Sequence, residues 1–219
     1  MKEKWIMTNK KESFLKLSNS IKENPLILRL LANRGIEDEN LARMFLYGDI
    51  DSIHDGYLMK DMDVAIEMLK DAINNKKRIV IYGDYDCDGV SSTTILYKML
   101  KRLGANFSYH IPHREDEGYG LNSNRIKILK EEGCELILTC DNGISGFLEV
   151  EVAKELGLDI IVTDHHDIPK IIDEEGNITE KFPEAHAVIN PKRKDCSYPF
   201  KNLCGAGIAY KLATCLYNE

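Results

Sequence analysis

The stretch Arg78-Ile79-Val80-Ile81-Tyr82-Gly83-Asp84-Tyr85-Asp86-Cys87-Asp88-Gly89 decides how the rest of the chain is read. Its first half is an apolar, β-rich run with the length of a buried strand. Its second half carries carboxylates at alternate positions, and like charges so close together raise one another's pKa. A bound divalent cation reverses that penalty by becoming the largest local charge. The same pairing recurs downstream. Asp141-Asn142-Gly143 follows Leu136-Ile137-Leu138-Thr139-Cys140, and Asp164-His165-His166 follows Ile160-Ile161-Val162-Thr163. Three strand ends furnished with metal-type ligands point to one site.

Working outward, short apolar runs alternate with helical stretches from residue 78 on. The pattern predicts strands over 78–82, 106–111, 136–140, 158–163 and 185–189. It predicts helices over 90–103, 122–132, 146–156 and 207–216, the first three closed by Gly104, Gly133 and Gly157. Strands alternating with helices give an α/β fold, a doubly wound parallel sheet flanked by helices. Ligands of such sheets bind outside the carboxyl ends of the strands, where the acidic clusters fall. Residues 1–75 read as a small helical N-terminal region without chemistry, with apolar faces such as Leu15, Leu17 and Ile21 and a helix stop at Asn33-Arg34-Gly35. Residues 167–181 are polar and read as a surface excursion.

The chain has 219 residues, and its composition is that of an ordinary globular protein. No apolar run approaches the roughly 18 residues of a membrane span. The start, Met1-Lys2-Glu3-Lys4-Trp5, lacks the apolar core of a signal peptide, so a cytoplasmic location without membrane contact is expected. Six cysteines form no Cys-x-x-Cys pair, which argues against a zinc knuckle and for reduced thiols. The net charge of −7 excludes a strongly basic nucleic-acid coat. It leaves room for a nucleic-acid enzyme, because bound ions restore positive charge locally.

Of two other uses of these acids, the EF-hand fails and the receiver domain stays as an alternative. Asp84-x-Asp86-x-Asp88-Gly89 matches the start of an EF-hand loop, but the twelfth position is Ile95 and a strand precedes the motif where a helix is required. A phosphate-accepting receiver domain also gathers acids at strand ends. It needs a Ser or Thr ending the next strand, whereas Thr163 leads into Asp164-His165-His166, and two imidazoles suit a transition metal better. A helix N-cap explains one such Asp but not all of them. In the loop over 109–120, Arg114, Tyr119 and the glycines fit either a phosphate or base contact or a solvated turn. In Asn190-Pro191-Lys192-Arg193-Lys194 the cations fit phosphates or a solvated run, the latter above all for Lys194. His54 and His186 read as structural.

The segments Asp84–Gly89, Asp141-Asn142-Gly143 and Asp164-His165-His166 resemble the first three motifs of the DHH phosphoesterase superfamily. Within it, the chain is similar to the bacterial RecJ single-stranded-DNA exonucleases. That likeness rests on Arg114, Glu117-Gly118-Tyr119-Gly120-Leu121, Ala187-Val188-Ile189-Asn190-Pro191-Lys192-Arg193, Cys196, Tyr198-Pro199-Phe200 and Leu203-Cys204-Gly205-Ala206-Gly207-Ile208-Ala209-Tyr210-Lys211. Asn33-Arg34-Gly35-Ile36 and Met62-Asp63-Val64-Ala65 fit as well. Tyr82 departs from it, standing where many members carry a His. The resemblance implies that 76–219 is a DHH catalytic domain incomplete at its C-terminal end, with a fourth metal motif and a substrate-binding domain beyond Glu219.

The resemblance also implies phosphodiester hydrolysis with two Mn2+ ions, or Mg2+ in their place. Asp84, Asp86, Asp88, Asp141 and His165 would be metal ligands, with Asp141 bridging. Asp86 would hold one ion, and Asp88 with His165 the other. Asp141, His165 and His166 would be the catalytic residues, with His166 facing the substrate phosphate or donating a proton. Asp164 would orient His165, and Arg114, Tyr119 and Arg193 would meet nucleic-acid phosphates. The implied substrate is single-stranded DNA, digested from the 5′ end to mononucleotides in repair and recombination, with replication or repair proteins as partners. Three rivals remain: a DHH phosphodiesterase for short oligonucleotides or cyclic dinucleotides, a non-catalytic replication scaffold built on the same domain, and the receiver domain, which has no reason to carry two histidines.

Overall fold

The computed structural model describes residues 9–172 and 176–218. The chain divides into two compact units, Met1–Ile53 and His54–Glu219. In the first, helices α1 (Lys11–Ser20), α2 (Pro25–Asn33) and α3 (Glu39–Tyr47) enclose a small core of Leu17, Ile21, Leu28, Leu31, Ala32 and Ala42. Asn24 and Asp38 cap α2 and α3, their side chains accepting from the N–H groups of Leu26 and Leu41 at 2.9 and 3.0 Å.

The division falls after Ile53 rather than near residue 75, because α4 (Met62–Asn74) belongs to the second unit. Its stripe Met62, Ala65, Ile66, Leu69 and Ala72 packs in one core with Ile79 and Ile81. The second unit is built on a parallel five-stranded sheet. Its strands are β1 (Ile79–Tyr82), β2 (Phe107–His110), β3 (Leu136–Thr139), β4 (Asp159–Thr163) and, after the small antiparallel hairpin β5 (Lys170–Ile172) and β6 (Ile178–Glu180), β7 (Ala187–Ile189). The spatial order is β2-β1-β3-β4-β7.

Helices cover both faces. Residues of β1, β3, β4 and β7 alternate between two cores. Ile79, Ile81, Leu136 and Leu138 face α4, α5 (Cys87–Arg102) and α8 (Gly205–Tyr217). Val80, Tyr82, Ile137 and Val162 face α6 (Ser123–Glu131) and α7 (Phe147–Glu155). From β1 the chain runs outward to β2 and then returns across β1 to β3. That reversal opens a crevice between the carboxyl ends of β1 and β3, the binding position of doubly wound sheets.

The sequence pattern differs from the structure where the acids themselves shape the backbone. Helix α5 starts at Cys87 rather than 90, because Asp86 caps it and accepts from the Gly89 N–H at 2.9 Å. Helix α8 starts at Gly205 rather than 207, because Asp88 accepts from its first N–H groups. The excursion over 167–181 contains the hairpin β5–β6. Among the described residues, no helix is long and apolar enough to cross a membrane.

Candidate metal centre

Asp84, immediately after β1, is buried and accepts from its neighbour's N–H, Tyr85, at 2.8 Å. Burial first, and then the nearby Asp86 and Asp164, push its carboxyl above the usual range against that hydrogen bond. Asp86 stays exposed at the head of α5. These groups sit at the positive end of the α5 dipole, which favours negative charge. Gly89 permits the approach, since a Cβ there would lie 2.5 Å from the Cβ and the carbonyl oxygen of Asp84.

Asp141, after β3, adopts the left-handed conformation at φ 63° and is buried. Its Oδ1 lies 3.0 Å from His165 Nε2. The two are not aligned as a hydrogen bond, and that buried oxygen receives none. Burial above all, with Asp88 and Asp86 adding repulsion, pushes the carboxyl up to about 8. Here too a missing side chain matters: a Cβ on Gly205 would stand 2.6 Å from Asp141 Oδ1. The adjacent Asn142 holds the crevice together, its Nδ2 donating to the carbonyls of Tyr82, Gly83 and Cys140 at 3.2, 2.8 and 3.1 Å.

Ligand atoms of Asp84, Asp86 and Asp141 lie within 4.8 Å of one another, and so do those of Asp141, His165 and His166. Asp141 belongs to both groups. A buried carboxylate oxygen without a hydrogen bond, flanked by carboxylates on one side and imidazoles on the other, fits a divalent cation. Its mixed oxygen and nitrogen donors suit Mn2+.

Asp164, after β4, is also buried but fully engaged. Its Oδ1 accepts from the N–H groups of His165 and His166 at 2.7 and 3.0 Å and lies 2.7 Å from His166 Nδ1. Its Oδ2 accepts from the Ile144 N–H at 2.9 Å. Burial opposes its charge, yet these bonds outweigh it and hold the carboxyl below its ordinary value. The same contact raises the pKa of His166. Asp164 therefore orients the ring of His166, not that of His165. The sequence pattern cannot separate two adjacent imidazoles.

Other expectations are also redrawn. Asp88 turns both oxygens to the N–H groups of Gly205 and Ala206, at 2.7 and 2.8 Å, and so anchors α8 beside the site. It remains 3.5 Å from His165 Nε2. Arg193 is not free for a phosphate: it is 7% exposed, and its guanidinium pairs with Asp61, Asp195 and the Val188 carbonyl at 2.6–2.9 Å. Tyr82 is buried in the α6–α7 core, edge-on to the His110 ring at 5.0 Å. Arg114 stays exposed, its guanidinium 5.4 Å above the Tyr85 ring. The Tyr119 hydroxyl lies 3.2 Å from His166 Nε2. Beside them opens a cleft of about 290 Å³, lined by Tyr119, Gly120, Gly143, Ser145, Glu149 and His166.

A doubly wound sheet with carboxylates and imidazoles converging at its switch point is an α/β domain whose strand ends are suited to a divalent cation. The chain belongs to the DHH family: residues 78–219 match the DHH family, N-terminal domain. It is 42% identical over 203 residues to the single-stranded-DNA-specific exonuclease RecJ of Bacillus subtilis (strain 168), covering 93% of this chain and 25% of that protein. The chain thus spans about a quarter of that relative's length. Among solved structures it is similar to an exonuclease RecJ bound to manganese, with a TM-score of 0.62 and 34% identity over 73% of this chain and 38% of the other. It is also similar to RecJ in complex with Mn2+ from Thermus thermophilus, with a TM-score of 0.68 and 26% identity over 94% and 27%.

Sequence reading assigns no role to Asn142, Tyr85 or Glu117, all of which shape the site. For Asn142 the signal was present, in an amide fixed between the Asp and the Gly of one motif. Glu117 stands in the motif Glu117–Leu121 that carries the family likeness, but its role is hidden, since its partners His110 and Arg125 lie 7 and 8 residues away with no helical repeat joining all three.

Proposed function

We propose that the second unit is the catalytic part of a metal-dependent phosphodiesterase that degrades single-stranded DNA from its 5′ end to mononucleotides, in cytoplasmic DNA repair and recombination. The observation that carries this reading is Asp141, whose unpartnered buried oxygen is shared by two groups of ligand atoms. Asp84, Asp86 and Asp141 would hold one Mn2+, and Asp141 with His165 the other, Mg2+ serving in its place. Bound there, the ions supply positive charge to the phosphoryl oxygens and lower the pKa of a coordinated water.

The chain's own residues do the rest. Asp164 fixes His166 through Nδ1, which leaves Nε2 turned to Tyr119 and available to carry a proton at the leaving oxygen. Arg114 and Tyr119 border the cleft and would meet the DNA backbone. Replication or repair proteins are the expected protein partners. The names of the RecJ relatives and the manganese in their solved structures support the reading.

The test uses the full-length protein with Mn2+ and single-stranded DNA labelled separately at each end, with Asp141→Ala as control. Release of the 5′ label first, as mononucleotide, and its loss in the variant are expected. Cleavage of a dinucleotide but not of the long strand moves the assignment to a small-substrate phosphodiesterase. No cleavage of either leaves a scaffold.

A further inference from the structure

We infer that Glu117 is a positioning residue, which locks the loop between β2 and α6 so that Tyr119 is held against His166. The inference rests on the phosphodiesterase reading for its kinetic consequence, and on geometry alone for its structural one.

The loop that carries Arg114 and Tyr119 is held at its end by the buried Leu121 and on its surface by the exposed pair His113–Asp116 at 2.9 Å. His113, Arg114, Glu115 and Asp116 are exposed, and Gly118 and Gly120, on either side of Tyr119, both take φ 80°. That backbone region is open to glycine, and it frees the chain to turn at both points. Glu117 is the exception. Its side chain is 14% exposed and both carboxylate oxygens are bonded. Oε2 lies 2.6 Å from Nε2 of His110, the last residue of β2. Oε1 accepts from Arg125 Nη2 and Nε in α6, at 2.6 and 3.1 Å. Its backbone is used as well, the N–H donating to the His113 carbonyl at 2.9 Å and the carbonyl accepting from Asn122 Nδ2 at 3.3 Å.

One side chain thus joins the sheet edge to the next helix from inside the loop. Two residues on, the Tyr119 hydroxyl meets His166 Nε2. The Tyr119 ring stands edge-on to Tyr85 at 6.4 Å, and Arg114 lies over Tyr85 in turn. Without the Glu117 side chain, the glycines on both sides of Tyr119 lose the charged tie to β2 and α6 and keep only the backbone bonds of residue 117, the ring contacts of Tyr119 and the buried Leu121. The ring then leaves the imidazole. The metal-ligating carboxylates are on other elements, so ion binding does not depend on Glu117.

The experiment compares Glu117→Ala, Glu117→Gln, Tyr119→Phe and the Glu117→Ala/Tyr119→Phe pair in the full-length protein. Hydrogen–deuterium exchange needs no activity. Glu117→Ala is expected to speed exchange across 111–122 while 136–166 keeps its protection, with Glu117→Gln in between because its amide oxygen still accepts from Arg125. Unchanged exchange in 111–122, or loss of protection throughout the sheet, overturns the inference. In kinetics with Mn2+ and single-stranded DNA, Glu117→Ala should lower kcat/KM by about tenfold or more, the cost of one charged hydrogen bond. Adding Tyr119→Phe should cost little further, because the hydroxyl contact is already gone, and Mn2+ affinity by calorimetry should stay within about twofold. Multiplicative effects of the two substitutions sink the inference. Absence of hydrolysis by the unsubstituted protein refutes the phosphodiesterase reading instead and leaves the exchange result to decide the role of Glu117.

Discussion

The ends of β3 and β4 each hold one carboxylate, and the two are equally buried at 1% exposure, yet burial leads them in opposite directions. Asp164 is surrounded by donors on both oxygens and titrates below its ordinary value. Asp141 faces acids, leaves Oδ1 without a hydrogen bond, and is pushed up to about 8. Burial is common to both, so hydrogen-bond supply separates them. A carboxylate that the protein satisfies itself is scaffold. One that it leaves costly is suited to a ligand from outside, and under the proposed function that ligand is a cation.

The largest expected effect breaks the comparison at its unsatisfied member. Asp141→Asn should cut hydrolysis by the full-length protein by about a thousandfold or more, because the shared ligand is lost. It should also abolish tight Mn2+ binding in calorimetry. The same change should stabilise the metal-free protein near neutral pH, roughly 2–4 kcal/mol by urea unfolding, since it removes a buried carboxyl that resists ionisation. The pH profile carries the sign. The folded pKa of Asp141 lies above the unfolded value, so its contribution is fully present below about pH 4 and fades as pH rises toward about 8. Asp164, with a lowered folded pKa, contributes in the opposite sense: present above the unfolded value and lost as pH falls through the folded one. Metal-free protein should therefore lose stability between about pH 4 and 8, and Asp141→Asn should flatten that slope. An unchanged slope would place the cost elsewhere.

The satisfied member gives a smaller effect of different character. Asp164→Asn keeps the shape but replaces one acceptor oxygen with a donor facing N–H groups. It should destabilise the fold by about 1–3 kcal/mol in urea unfolding. Activity should fall about 10- to 100-fold through loss of the ring orientation of His166. A variant as stable as the unsubstituted protein would show that the N–H cradle contributes nothing net.

What the sequence shows and hides follows the same division. The strand ends were legible because a β-rich run followed by acids is a local pattern, and the doubly wound class follows from alternation alone. Contacts made across long separations were not. Asp88 bonds N–H groups 117 and 118 residues away, which is why it read as a plain ligand. Arg193 looked like its neighbours Lys192 and Lys194, and only the fold brings Asp61, 132 residues earlier, to its guanidinium. The division after Ile53 was hidden because α4 has the same periodicity as the helices before it and differs only in the core it joins. The hairpin β5–β6 was hidden because its strands have 3 residues each, below the length at which alternation can be read.

The smallest effect tests whether the two strand ends are independent. Thr163 Oγ1 donates to the Thr139 carbonyl at 2.8 Å, and Thr139 Oγ1 accepts from the Thr163 N–H at 3.1 Å, so the strands are tied just before Asp141 and Asp164. Thr163→Val removes only the first bond at nearly constant volume. It should lower stability by about 1 kcal/mol, read as a shift in the urea midpoint. The hydrogen bonds of Asp164 come from the residues after it and from Ile144, and the second tie remains. Mn2+ affinity should therefore stay within about twofold, because no ligand of the cation rests on the lost bond. An affinity loss larger than the stability loss would mean that β4 positions Asp141 through this hydroxyl, and that the two carboxylates differ by placement as well as by hydrogen-bond supply.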